Sequence, residues 1–211
     1  MSLKVGITYN LKKNLAGTAS DPPDAEAEFD DISTILAIQN ALEGAGCRTE
    51  LLEADASLPG RLSQNPPDIV FNVAEGSAGR GREAQVPALL SYLKIPYTGS
   101  DETTMCIAMD KALTKSLLAP HRVRTPKYRV ASVEAAYSSG KHKLQAGAAA
   151  YSSGAASFSA GGLSFPVIVK PNAEGSSKGI SGASVAHDAE SLRAALEAGI
   201  GAYRQDMLVE E

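Results

Sequence analysis

The stretch from Phe165 to Val185 constrains this chain more than any other. It reads Phe-Pro-Val-Ile-Val-Lys-Pro-Asn-Ala-Glu-Gly-Ser-Ser-Lys-Gly-Ile-Ser-Gly-Ala-Ser-Val. Val167, Ile168 and Val169 form a short β-branched run between two prolines, which predicts a buried strand. Lys170 follows at its end. Gly175, Ser176, Ser177, Gly179 and Gly182 then make a loop with little side-chain bulk, and Ala183 to Ala186 can return as a second strand. Such a hairpin can lay backbone N–H groups against an anion, and Lys170 would add a point charge. The residues alone leave a second reading open, an exposed Gly/Ser turn with a lysine beside it. No Gly-x-x-x-x-Gly-Lys-Ser/Thr string occurs, so this is not a P-loop of that type.

A length of 211 residues suits one large domain or two small ones. Hydrophobic residues at 44% and aromatics at 5% predict an aliphatic core. The net charge of −4 gives no basic field, so no nucleic-acid partner is expected. No apolar run approaches 18 residues and no signal peptide opens the chain, so no membrane segment is expected. Cys47 and Cys106 lie far apart and read as reduced thiols of a cytoplasmic protein.

Strands are predicted at 3–9, 47–52 and 68–73, with a short one at 95–98. Helices are predicted at 29–46, where Ile32, Ile35, Leu36, Ile38 and Leu42 recur near helical spacing, and at 84–94. Strands alternating with helices predict a doubly wound parallel sheet. A helix is expected over 103–119 with Lys111 near its middle. Another is expected over 188–203, with Asp188 as N-cap and Leu192, Leu196 and Ile200 on one face. A strand closes the chain at 207–211. Residues 131–163 are dominated by Ala, Ser and Gly, and Ala-Tyr-Ser-Ser-Gly occurs in them twice, so a mobile insertion is expected near 138–162.

One motif competes for the function. Gly79-Arg80-Gly81-Arg82-Glu83-Ala84 fits the dinucleotide fingerprint Gly-x-Gly-x-x-Gly/Ala. It follows the third predicted strand rather than the first, which argues against a redox cofactor site. Among the early acids, Glu28, Asp30 and Asp31 read as residues at a helix N-terminus.

The string Val-Lys-Pro-x-x-Glu-Gly-Ser-Ser-x-Gly-Ile at 169–180 resembles the glycine-rich phosphate loop of the ATP-grasp D-alanine–D-alanine ligases. Gly81 to Leu90, Ile95-Pro96-Tyr97-Thr98-Gly99-Ser100 and Met109-Asp110-Lys111 resemble further motifs of that family. The likeness covers nearly all the chain except the first loop and the insertion. It implies an N-terminal α/β domain at 1–102, with a doubly wound parallel (pre-ATP-grasp) sheet, and a small α+β ATP-grasp subdomain at 103–211. It also implies a ligase that phosphorylates one D-alanine with ATP and Mg²⁺ and joins the acyl phosphate to a second, in peptidoglycan precursor synthesis. Lys111 and Lys170 would hold phosphates. Glu174 would orient the loop, the backbone of Ser176 to Gly179 would cover the transferring phosphate, and Gly175, Ser176, Ser177 and Gly179 would be among the nucleotide-binding residues. Ser176 would also bond a substrate-side acid, and Glu210 or Glu211 would begin the adenine and ribose connection.

Two departures from the family stand out. Ala74-Glu75-Gly76 replaces its Leu-His-Gly, which puts Glu75 and Gly76 on the substrate side. Asn10-Leu11-Lys12-Lys13-Asn14 replaces the segment whose glutamate holds the first substrate's ammonium; Glu28, Asp30 or Asp31 could substitute. The metal acids and the oxyanion arginine lie later in the family, so no metal ligand is read here and the chain alone is expected to be inactive. A homodimer through the N-terminal domain is a further implication. The alternatives are a related carboxylate–amine ligase with other substrates, or a non-catalytic fragment.

Overall fold

The computed structural model describes residues 2–13, 22, 24–132 and 160–211. Most of the expected insertion therefore lies outside the described residues. The chain forms two compact units. One comprises Met1–Ala16 with Glu26–Met109, and the other Gly17–Ala25 with Asp110–Glu211.

In the first unit, β1 (Lys4–Tyr9), β2 (Arg48–Glu53) and β3 (Ile69–Asn72) make a parallel sheet in the order β2-β1-β3. The register runs Val5 against Thr49 and Val5 against Ile69. Central β1 is buried along almost its whole length, as a strand flanked on both edges should be. Helix α1 (Ile32–Gly44) connects β1 to β2 and is shorter than the pattern predicts. Ile35 is fully buried, Ile38 and Leu42 pack beside it, and Ile32 and Leu36 remain 48% and 42% exposed. The apolar face is narrower than a count of its residues implies.

Helix α2 (Leu58–Gln64) is a finding that periodicity does not reveal. Pro59 and Gly60 sit within its first turn and disguise it. A proline near the first helical position costs no hydrogen bond, so the helix forms and buries Leu58 and Leu62. A 3-10 turn at Arg82–Ala84 leads into α3 (Gln85–Tyr92), and α4 (Glu102–Met109) ends the unit. The short strand expected at 95–98 is only an isolated bridge between Val70 and Tyr97.

The second unit carries an antiparallel sheet in the order β4-β7-β5-β6. Its strands are β4 (Tyr128–Ala131), β5 (Val167–Pro171), β6 (Val185–Ala186) and β7 (Met207–Glu210). Helix α6 (Ala189–Tyr203) covers it. Asp188 caps α6 through the Ser191 N–H at 2.8 Å, and the Ser191 hydroxyl answers the Asp188 N–H at 3.1 Å. Leu192, Leu196 and Ile200 pack with Val167, Val169, Met207 and Val209. Each such aliphatic side chain contributes about 1.5–3 kcal/mol on burial.

The single helix expected at 103–119 is in fact two. Helix α5 (Lys111–Leu118) starts afresh after α4, because Asp110 adopts extended backbone and its carboxylate accepts the Leu113 N–H at 2.9 Å. Lys111 is thus the first residue of a helix and not the middle of one. The aspartate favours a cap over a helix interior for the usual reason: its side chain competes for backbone donors.

Candidate nucleotide site

In the second unit the site grows from the end of β5. The Lys111 N–H donates to the Asn172 carbonyl at 3.0 Å, and the Ala112 N–H to the Asn172 side chain at 2.9 Å. Asn172 in turn donates to the Asp110 carboxylate at 2.7 Å. These bonds fasten the start of α5 to the strand end. The Lys111 ammonium consequently reaches the glycine loop, where it donates to the Glu174 carbonyl. The Glu174 carboxylate accepts from Gln205 Nε2 at 2.7 Å and pairs with Lys178 at 3.0 Å.

The loop is tightly turned. Ser176, Ser177 and Gly179 all have positive φ, at 45°, 60° and 78°, and both serine side chains are exposed. Two of the amides assigned above to phosphate are engaged within the unit. The Lys178 N–H donates to the Gly175 carbonyl at 2.8 Å, and the Gly179 N–H to Asp24 at 2.7 Å. No pattern in the sequence marks Asp24, because its contact spans 155 residues.

Lys170 lies within β5, and its ammonium pairs with the Glu210 carboxylate. The other Glu210 oxygen lies 2.8 Å from Lys115, one helical turn beyond Lys111. Burial pushes the Glu210 carboxyl up, but the two lysines beside it outweigh burial and hold the group below the usual carboxylate range. Glu211, grouped with Glu210 by sequence, does not share this cluster. Its carboxylate accepts the Ser164 N–H at 2.9 Å and lies 3.4 Å from the exposed Lys127.

Glu75 and Gly76 belong to the first unit. There the buried Asn10 side chain accepts both of their N–H groups at 3.0 Å, which pins the turn after β3 to the end of β1. Gln85 accepts the Ser77 N–H at 3.1 Å and donates to the Ala78 carbonyl at 2.9 Å. A cavity of about 510 Å³ opens beside them, lined by Leu58, Gly76, Ser77, Gln85 and Val86 among others.

Glu28, read from sequence as a helix-terminal acid, is instead buried and holds Arg82 with both carboxylate oxygens at 2.6 Å. Asp31 is the residue at the α1 cap, and its side chain makes no cap hydrogen bond. Arg82, at a variable position of the Gly79–Ala84 string, is thus engaged in an internal ion pair. Carboxylate oxygens of Glu28, Glu75 and Glu83 lie within 4.8 Å of one another. Burial, then the charges of Glu83 and Glu28, push the Glu75 carboxyl up to about 7.

No family model matches the chain. It is 34% identical over 195 residues to a D-alanine–D-alanine ligase of Gloeobacter violaceus, covering 92% of this chain and 56% of the relative. A D-alanine–D-alanine ligase of Moorella thermoacetica is 31% identical over 157 residues, covering 74% and 46%. The crystal structure of the Bacillus anthracis D-alanine–D-alanine ligase superposes with a TM-score of 0.64 at 18% identity, covering all of this chain and 57% of that one. The same enzyme complexed with ATP gives 0.62, covering 100% and 56%.

The parallel sheet and the antiparallel sheet are therefore those of an α/β ligase fold. By sequence the chain is a relative of the D-alanine–D-alanine ligases, and it spans about half the length of the curated relatives it matches.

Proposed function

We propose that this chain carries the phosphate-holding part of an ATP-dependent ligase that joins two D-alanine molecules for peptidoglycan synthesis. The observation that supports this most is the fastening of Lys111 to the glycine loop through Asn172 and Glu174. It brings an ammonium to a turn of small residues in which Ser176 and Ser177 are exposed. That combination suits a polyphosphate, which needs point charges and short donors rather than bulk. The solved relative complexed with ATP agrees in kind.

Lys111 and Lys170 would hold phosphate oxygens, and Ser176 and Ser177 would lie over the terminal phosphate. Glu174 keeps the loop in shape through Gln205 and Lys178. Glu210 orients Lys170. When bound, ATP supplies the phosphoryl group that turns a carboxylate into an electrophile. Charge stabilisation by the two lysines contributes to that transfer. Mg²⁺ does not fit the described residues of this unit: no three potential ligands converge among them, and Glu174 and Glu210 pair with lysines. On the substrate side, Glu75 and Gly76 stand where the family has His-Gly.

Titrating a non-hydrolysable ATP analogue tests the reading. Lys170→Ala and Lys111→Ala should each weaken binding by about 1.5–3 kcal/mol, the range for a hydrogen bond to a charged group. Equal affinity in both variants and the parent would refute it.

A further inference from the structure

Glu210 is buried, and its two oxygens face different lysines. Oε1 pairs with Lys170 on β5, and Oε2 lies 2.8 Å from Lys115 on α5. Oε2 has no well-aligned hydrogen bond among the described residues, so its compensation rests on the Lys115 charge. Lys115 is itself only 10% exposed. It is steadied by the Pro126 carbonyl at 3.2 Å and by the Tyr128 ring, whose centroid lies 5.1 Å away. Tyr128 is also the cross-strand partner of Glu210 on β4.

Two ammonium groups on one carboxylate is more cation than the pair alone needs. The excess has a use if Lys170 serves an incoming anion, and this step rests on the phosphate assignment above. We infer that Lys115 is a positioning residue of the nucleotide site: it keeps Glu210 ionised and in place when a polyphosphate draws Lys170 away. Lys115 would not touch the nucleotide. Without it, phosphate binding would strand a buried carboxylate, and such a group takes up a proton rather than stay charged. Among the described residues, the charged groups paired with Glu210 are Lys170 from β5 and Lys115 from α5; Tyr128 is its cross-strand neighbour on β4, with its hydroxyl bonded to Ser116 and the Ala112 carbonyl. The neighbouring Glu211 carboxylate is turned to Ser164 and Lys127.

The sign follows from linkage. In Lys115→Met the free protein still has Glu210 paired with Lys170, so its carboxyl titrates low. In the complex that partner is lost and the carboxyl titrates higher. Between those two values binding takes up a proton, so affinity falls as pH rises, by at most about tenfold per pH unit for one proton.

The experiment is calorimetric titration of adenylyl imidodiphosphate between pH 5 and 8. It uses the parent, Lys115→Met, Lys115→Arg, and Lys115→Met combined with Glu210→Gln. Expected is an additional fall in affinity with pH for Lys115→Met alone, with parent-like slopes for the arginine and double variants. A parent-like slope for Lys115→Met overturns the proposal while leaving the phosphate site intact. Failure of the parent to bind the analogue overturns the phosphate assignment, and the proposal with it. If Lys115→Met does not fold, the parent decides: its Glu210 carboxyl, followed by ¹³C NMR in the complex, should titrate at or below the ordinary glutamate range. A Glu210 carboxyl raised towards neutrality in the complex overturns the inference.

Discussion

The Asp24 carboxylate accepts the Gly179 N–H at 2.7 Å and, through its other oxygen, the Tyr203 hydroxyl at 2.6 Å. One side chain from the N-terminal loop thereby ties the glycine turn to the end of α6. Burial, and then the Asp24 hydrogen bond, raise the Tyr203 phenol above its usual range. Gly179 itself cannot be replaced cheaply: φ is +78° and an added Cβ would lie 2.5 Å from Pro171 Cγ.

Asp24→Ala should lower the unfolding free energy by about 1–3 kcal/mol, since two donors lose a charged acceptor. Tyr203→Phe should cost less. In urea unfolding, the double variant should lose less than the sum of the two single variants, because the residues share a bond. Strict additivity would show that the Asp24–Tyr203 bond contributes nothing.

Gly76 is the residue that lets the turn after β3 close. Its φ is +78°, and an added Cβ would lie 2.1 Å from the Arg82 carbonyl oxygen. Gly76→Ala should destabilise the protein by about 2–4 kcal/mol, from backbone strain and overpacking together. A melting temperature equal to the parent's would contradict this geometry.

The Glu28–Arg82 pair is 2% and 9% exposed at its side chains. Removing one partner strands a buried charge, so Arg82→Met should cost about 3–5 kcal/mol. Arg82→Met with Glu28→Gln should recover much of that loss. Chemical denaturation of the three proteins checks it, and a double variant as unstable as the single would show that packing, not charge, dominates.

Glu75 supplies a pH dependence. Its folded carboxyl titrates near 7, above its unfolded value of 4.5, because burial and two neighbouring acids disfavour the charge. The folded state therefore binds more protons than the unfolded state between those values, and stability falls as pH rises across that window. Glu75→Gln should flatten the decline between pH 5 and 7 in unfolding experiments. A Glu75→Gln profile parallel to the parent's would mean that the carboxyl is not held in this way.

Much of this protein is legible along the chain. The β-branched runs at Val167–Val169 and along β1, the Asp188 cap, and the face of Leu192, Leu196 and Ile200 all depend on neighbours a few residues away. Local pattern carries local structure, because strand and helix periods are set by the backbone itself. The glycine loop is legible for a different reason: a run of small residues after a β-branched strand marks a tight turn, and Ser176, Ser177 and Gly179 do take positive φ there.

What the chain order concealed depends on contacts across long separations. Helix α2 forms although Pro59 and Gly60 obscure its pattern, because burying Leu58 and Leu62 outweighs propensity. The break at Asp110 is stabilised by Asn172, 62 residues away. Glu28 becomes an ion-pair partner because folding delivers Arg82 to it. Lys115 meets Glu210, and Asp24 meets Gly179, for the same reason. The sequence by itself determined the strands β1, β5 and β7, the capped helix α6 and the glycine-rich turn, whose patterns are local. Only the tertiary structure decided which carboxylate answers which cation, because charge pairing depends on distance and burial in three dimensions, and neither is written in the spacing of residues along the chain.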